Sequence, residues 1–287
     1  MTPAWLDRAE YPFEPRWLDT RAGRVHYVDE GQGPAVLMVH GTPTWSFLYR
    51  RLVAPLRVRY RCVAPDLPGF GLSERPVGWS YRPQDQATIV TELIDRLRLE
   101  DFTLIVHDFG GPIGLAYALE HPENVRRLVL FNTWMWSLRG DRRLEWSARL
   151  FDSALGRALY ERAGFSLRVL WRTAVKDPRA RRGKVWAHYA APLRDRATRH
   201  ATWVYARELL GASDWYAALW AQRARLERTP ALLAWGMKDP AFGGFLPRWR
   251  TVFRRADVVA LEDCGHAPPE ERAAEVVPAL ERFLAAL

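Results

Sequence analysis

What this chain lacks narrows it first. It has two cysteines in 287 residues, Cys62 and Cys264, too few for a disulfide framework and without metal-ligand spacing, so both are expected as free thiols in a reducing cytoplasm. No apolar run approaches the roughly 18 residues of a membrane span, and the opening MTPAWLDRAEYPFEP sets charges and prolines where a signal peptide needs an unbroken apolar core. A soluble, unexported protein with no membrane partner is the expectation. No serine stands in a G-x-S-x-G frame, which removes the common serine-hydrolase pattern. The net charge of +9 comes almost entirely from arginine scattered along the chain, with local clusters such as Arg179 to Arg182 set in ordinary helical sequence. Dispersed charge of this kind argues for a solvated surface and against a nucleic-acid partner.

What is present reads as a globular α/β chain, 48% hydrophobic and 26% charged, long enough for one large domain or two ordinary ones. Arg24 to Glu30 alternates polar and apolar like a half-buried strand near an edge. Ala35–His40, Arg61–Ala64, Phe102–His107, Val125–Phe131, Ala231–Trp235 and Asp257–Leu261 are short, largely apolar runs of the kind buried on both faces of a parallel sheet. Helical patterns lie between them, notably Gln86–Leu99, Pro112–Leu119 and Glu270–Leu287. This alternation predicts a mostly parallel, doubly wound sheet flanked by helices.

Residues 134–228 break the alternation. They hold no convincing strand, no internal repeat and no low-complexity linker, but many aromatic and arginine positions at helical spacing, as in Arg157–Arg162 and Trp215–Leu226. The expected division is a core of residues 1–133 and 229–287 with a helical lid inserted at 134–228, its tryptophan-rich underside facing the sheet.

The chemistry gathers at the carboxyl ends of the predicted strands, where an open α/β sheet binds ligands. Asp108 directly follows FTLIVH, and Gly110, Gly111 and Gly114 after it supply the sharp turn and close approach of a nucleophile elbow. The start of the following helix should keep this carboxylate ionised at neutral pH; a helix cap is its plainer role. Asp239 follows ALLAW, and His266 follows DVVAL in a loop before the last helix. Alone, each is more often structural. In the order Asp108, Asp239, His266, each at the end of a different strand, they read as nucleophile, acid and base. HGTP, His40 to Pro43, ends the strand AVLMVH, where such a fold supplies one N–H of an oxyanion hole, here Thr42, with Phe109 as the other.

HGTPTWSFLYR, PDLPGFGLSERP, VHDFGGPIGLAYALEHPENVRRLVLFN, WGMKDPAF and LEDCGHAPPEE together resemble the haloalkane dehalogenase family of α/β-hydrolases, from about Arg24 to the C-terminus. Asp-nucleophile epoxide hydrolases share much of the same skeleton. The resemblance implies an α/β-hydrolase fold with an inserted helical cap, Asp108 as nucleophile, His266 as base and Asp239 as its orienting acid. Asn132 stands where some members place a Glu, and an amide cannot take the anionic role. It also implies a small apolar, halogenated substrate, a covalent ester on Asp108, and no metal or organic cofactor. The chain departs from the family at Phe109, where tryptophan usually donates its indole N–H to the departing halide, and at Thr42, where one branch carries a second donor, Asn. Losing one hydrogen bond to a charged group is worth roughly 1.5–3 kcal/mol, or about one to two orders of magnitude in rate. Trp45, Trp134 and Trp136 are the indoles that could substitute. An epoxide hydrolase with lid tyrosines drawn from Tyr160, Tyr189, Tyr205 and Tyr216 is the alternative, followed by an ester hydrolase or a ligand-binding relative.

Overall fold

The computed structural model describes residues 3–286. Its strands are β1 (Arg16–Thr20), β2 (Gly23–Glu30), β3 (Ala35–Val39), β4 (Arg61–Pro65), β5 (Phe102–Asp108), β6 (Val125–Thr133), β7 (Ala231–Gly236) and β8 (Asp257–Leu261). They form a single sheet in the order β1-β2-β4-β3-β5-β6-β7-β8. The pairs β1/β2 and β2/β4 are antiparallel and every other pair is parallel. The sequence pattern missed β1, whose RWLDT is mostly exposed and carries no apolar run; its pairing with β2 through the tight turn before Gly23 creates it.

The helices in chain order are α1 (Arg50–Leu56), α2 (Pro83–Leu97), α3 (Gly110–Glu120), α4 (Arg142–Phe151), α5 (Ala154–Glu161), α6 (Arg172–Ala174), α7 (Gly183–Ala190), α8 (Arg196–Gly211), α9 (Ser213–Ala221), α10 (Leu246–Val252), α11 (Pro268–Glu271) and α12 (Ala273–Ala285). The single C-terminal helix expected from Glu270 is thus two, α11 and α12, meeting at Arg272. Strand residues alternate between two buried clusters. Leu104 and Val106 of β5 pack with α2 and α3, whereas Ile105 faces the other side with Val129, α1 and α12. Because both faces are covered, the central strands are apolar throughout, which is what made them legible as short apolar runs.

Between β6 and β7 the described chain is helical, with no strand. Local signals set these helices: Ser153 caps α5 by accepting from the Gly156 N–H at 3.0 Å, and Asp195 and Thr198 form a reciprocal capping box at the start of α8. Ser166–Trp171 is a π-helical turn, an irregularity that concentrates at functional sites. Ala201, Val204, Tyr205, Tyr216 and Leu219 of α8 and α9 join the cluster on the α2 and α3 side of the sheet. Among the described residues no helix is long and apolar enough to cross a membrane. Both cysteines are free and buried, and burial pushes the Cys62 thiol up to about 12 and the Cys264 thiol higher still.

Candidate active site

Asp108 is the last residue of β5, and three local features turn its side chain out of the sheet. The β5/β6 register shifts between His107 and Asp108, placing Asp108 opposite Thr133, whose hydroxyl donates to the Asp108 carbonyl at 2.5 Å. The backbone at Asp108 is left-handed, φ +53°, a conformation costly for a residue with a β-carbon. Next come glycines with no room for a side chain: a β-carbon on Gly110 would lie 2.0 Å from the Val39 carbonyl oxygen, and one on Gly111 1.7 Å from Thr133 Oγ1. The carboxylate does not cap α3, where the cap position is Phe109.

Three elements converge on Asp108. The Thr42 N–H donates to Oδ1 at 2.8 Å, so close an approach that a β-carbon on Gly41 would meet Oδ1 at 2.1 Å. The Phe109 N–H also lowers the carboxyl's pKa by hydrogen bonding. On the other side His266 Nε2 lies 3.5 Å from Oδ2, and His266 Nδ1 lies 2.8 Å from Asp239 Oδ2. Asp239 is held by the Ala241 N–H at 2.9 Å and by Asn132 Nδ2 at 2.9 Å; Asn132 in turn exchanges two hydrogen bonds with the main chain of Gly236. Asn132 therefore serves Asp239 as a donor.

Burial pushes the Asp108 carboxyl up to about 6, against the lowering effects of the His266 charge and the Phe109 and Thr42 amides. At that value it is mostly ionised at neutral pH. Burial works to lower the His266 pKa, but the Asp239 charge and hydrogen bond, followed by the Asp108 charge, outweigh it and raise it to about 9. Asp239 resists burial and is held below the usual carboxylate range by His266, Ala241 and Asn132. The resting arrangement is one imidazolium between two carboxylates.

Two positioning groups were not singled out by the sequence. His107, neutral because burial and the His266 charge lower it to about 3, hydrogen-bonds through Nε2 to the His266 carbonyl at 2.7 Å. Glu271 accepts from the N–H groups of Lys176 (2.5 Å), Asp177 (3.1 Å), Gly265 (3.2 Å) and Ala267 (3.0 Å), tying the loop after α6 to the His266 loop. The His266 N–H adds a bond to the Ala174 carbonyl at 3.1 Å. An acidic residue in a short first helical turn reads in sequence as a dipole complement, so nothing distinguished Glu271 from its neighbours.

The carboxylate and imidazole open on a cavity of about 160 Å³ with mostly apolar walls, among them Phe109, Phe151, Trp171 and Phe242. The indoles offered as leaving-group contacts do not line it. Trp45 is corrected outright: its N–H donates to the His188 carbonyl at 3.0 Å, and its ring packs on the α1 side among Trp5, Tyr11 and Phe47. Trp136 is corrected too, since its ring packs against Trp220, Phe245 and Trp249 and faces a different surface depression. Trp134 lies behind the cavity wall, its ring centroid 4.8 Å from Phe109 and 4.7 Å from Phe242, with its N–H buried and without a partner. Trp171 lines the cavity, but its N–H donates to the Ala180 carbonyl at 3.1 Å. Of the four tyrosines, Tyr160 lines the cavity, and no described residue hydrogen-bonds its hydroxyl. Tyr205 packs on Phe109 at 4.4 Å from outside the cavity with its hydroxyl unpartnered, and the Tyr189 and Tyr216 hydroxyls donate to Glu270 and to the Glu208 carbonyl. Among the described residues no group of three or more His, Cys, Asp or Glu side chains could hold a metal ion.

Comparison with known proteins identifies the family of the fold. Residues 34–273 match the family described as alpha/beta hydrolase fold. The chain is 39% identical over 277 residues to haloalkane dehalogenase 2 of Mycobacterium tuberculosis, covering 95% of this chain and 96% of that protein. It is 34% identical over 286 residues to a cis-3-alkyl-4-alkyloxetan-2-one decarboxylase of Shewanella oneidensis, covering 95% and 89%. In fold it is similar to the crystal structure of haloalkane dehalogenase DbeA from Bradyrhizobium elkani, with a TM-score of 0.83 at 24% identity, covering 96% of this chain and 100% of that one.

Proposed function

Because the chain belongs to the haloalkane dehalogenase family of the α/β-hydrolase superfamily and is a hydrolase, we propose that it displaces halide from a small haloalkane through a covalent ester on Asp108. The observation that carries this reading is the buried Asp108 carboxylate, with Oδ1 on the Thr42 amide and Oδ2 toward an imidazolium backed by Asp239. An anion so held needs no prior deprotonation to attack a saturated carbon. Oδ2 forms the new C–O bond as the carbon–halogen bond breaks, and halide leaves with the electron pair.

Esterification removes the Asp108 charge. One of the two carboxylates that raise His266 is then neutral, the imidazolium becomes more acidic and releases its proton to solvent, and the free Nε2 can take a proton from water. The resulting hydroxide equivalent attacks the ester carbonyl carbon. Negative charge develops on Oδ1, already in contact with the Thr42 amide, while the Phe109 N–H adds a second donor. Collapse expels the alcohol, which takes up the proton from His266, and restores the carboxylate with one oxygen from water. The helical stretch between β6 and β7 supplies Phe151, Tyr160 and Trp171 to the cavity wall and so acts as its cap.

A second reading rests on Tyr160. Among the described residues no indole lining the cavity has a free N–H to receive a halide, and the free Tyr160 hydroxyl is the donor available to an oxygen leaving group. The substrate is then a strained oxygen ring: an epoxide, or the four-membered lactone in the name of the Shewanella relative. Asp108 would open the ring and Tyr160 would protonate the departing oxygen. Bromoalkanes, terminal epoxides and aryl esters assayed side by side, with bromide release measured directly, separate the readings. Bromide release supports the first; epoxide turnover lost in Tyr160→Phe without bromide release supports the second. A single turnover in oxygen-18 water should label Asp108 and leave the first alcohol unlabelled. Label in that first product would reject covalent catalysis.

A further inference from the structure

Beside the catalytic cavity lies a second, larger depression of about 440 Å³, made entirely by the helical stretch between β6 and β7. Ser166 and Thr202 line both, so these two small side chains stand between the two spaces. Their geometry follows from α8. Arg199 and Thr202 border the groove, and Thr202, Ala206 and Leu209 border the catalytic cavity, at i, i+3, i+7 and i+10. That spacing is one helical stripe, about 15 Å long at 1.5 Å per residue. The π-helical turn at Ser166–Trp171 forms the facing wall, giving Leu167 and Arg168 to the groove and Leu170 and Trp171 to the cavity.

The groove combines an apolar floor with a basic rim. Leu167, Trp186, Ala190 and Leu193 supply the floor, Arg168, Arg194 and Arg199 the rim, and no carboxylate lines it. Arg199 spends its donors on the main-chain carbonyls of Leu193, Glu161, Arg162 and Arg194. It is a fixed positive charge, and among the described residues no carboxylate forms an ion pair with it, the Asp195 charge acting on it only from a distance. Arg168 approaches it closely enough that both flank Gly164, whose β-carbon would lie 3.3 Å from Arg199 Nε and 3.6 Å from Arg168 Cδ. No described residue hydrogen-bonds the Arg168 guanidinium or pairs with it. Burial, and after it the Arg168 charge, lower the Arg199 pKa against the raising effect of the Asp195 charge. Among the described residues Arg194 pairs with its neighbour Asp195 alone, at 3.7 Å.

We propose that this groove seats the distal half of the substrate, an alkyl chain ending in a carboxylate, with Arg168 and Arg194 on the anion and the reacting carbon reaching Asp108 past Ser166 and Thr202. The inference rests on the reading of Asp108 as the nucleophile of a hydrolase and narrows its substrate to a fatty-acid-like molecule. Neutral haloalkanes would fill the inner cavity alone.

The test compares ω-bromooctanoate with bromooctane, and decanoate binding with decanol binding by calorimetry, in the parent and in Arg168→Gln, Arg168→Glu and Arg168→Lys. Arg168 is exposed and unpartnered, so these variants should fold as the parent does. The expected result is that kcat/KM for the bromoacid exceeds that for the bromoalkane. Arg168→Glu should lower the former by about tenfold or more, largely through KM, leave the latter within about twofold, and abolish decanoate binding, while Arg168→Lys restores most of both. Decanoate binding that depends on Arg168 supports the groove even if neither bromide is released, a result that would tell against halide displacement alone. Equal kcat/KM for acid and alkane, or decanoate binding unchanged by Arg168→Glu, overturns the proposal.

Discussion

Replacing His266 with Gln should trap the ester on Asp108, but only at alkaline pH. In the proposed mechanism the imidazole serves the second step as base, so its loss should slow ester hydrolysis by about a hundredfold to ten-thousandfold and let the alkyl-enzyme accumulate. The first step is affected as well. In the resting site His266 is an imidazolium, pushed up to about 9, and its Nε2 lies 3.5 Å from Asp108 Oδ2. At an effective dielectric of about 20, a charge pair at this distance is worth roughly 4–5 kcal/mol, equivalent to about three pH units. Burial already raises Asp108 to about 6 with that cation present. Without it the carboxyl should be largely protonated near neutrality, and a protonated carboxyl is no nucleophile. The assay is intact-protein mass spectrometry of His266→Gln after incubation with a substrate that the parent turns over, across roughly pH 6 to 10. Alkylation should be slow near pH 7 and climb steeply toward about pH 9, with the adduct mass on the peptide that contains Asp108. Equal alkylation across the whole range would refute the electrostatic argument, and no adduct at any pH would refute the covalent one.

The other predictions concern the supports of the site. Glu271→Ala leaves four amide N–H groups without their acceptor and should lower unfolding stability by at least about 3 kcal/mol in urea; a loss under about 1 kcal/mol would show that water replaces the carboxylate. Phe109→Trp forces a larger ring into a position already packed against Trp134 and Tyr205, so the melting temperature should fall with a cost of about 1–3 kcal/mol, and bromide release should rise only if the new indole N–H reaches the cavity. His266 binds its proton more tightly folded than unfolded, so its contribution to stability is complete below about pH 6.5 and declines as pH rises to about 9. Asp239→Asn should flatten that decline, and a parent stability curve that is level or rising over the same window contradicts the shift.

The arrangement of the site was legible because its residues sit at strand ends, where the pattern of apolar runs locates them. Asp108, Asp239 and His266 each follow such a run, and the structure brings their side chains within 3.5 Å of one another in sequence along the relay. The direction of an indole was not legible. Trp45 is three residues beyond Thr42, yet a short helical turn carries its ring to the opposite face, where His188 takes its N–H. Trp134 and Trp136 project differently from the chain end that leaves β6, and only the helices packed above them fix where each ring goes. β1 escaped notice for a related reason: an exposed edge strand depends on its partner's main chain, which periodicity in its own sequence does not report. The groove beside the cavity is likewise a tertiary fact, since Arg168 and Arg199 are 31 positions apart and nothing local marks them as neighbours.

The left-handed backbone at Asp108 has an evolutionary corollary. A residue that must hold φ +53° with a buried carboxylate is chosen against local preference twice, once by its backbone and once by its charge. Glycine or asparagine at position 108 relieves one or both conflicts while leaving the surrounding strand and helix intact. Selection for thermal tolerance alone, with no demand for turnover, therefore favours loss of this aspartate. Under the proposed mechanism, aspartate at this position is held by selection for the reaction and not for stability.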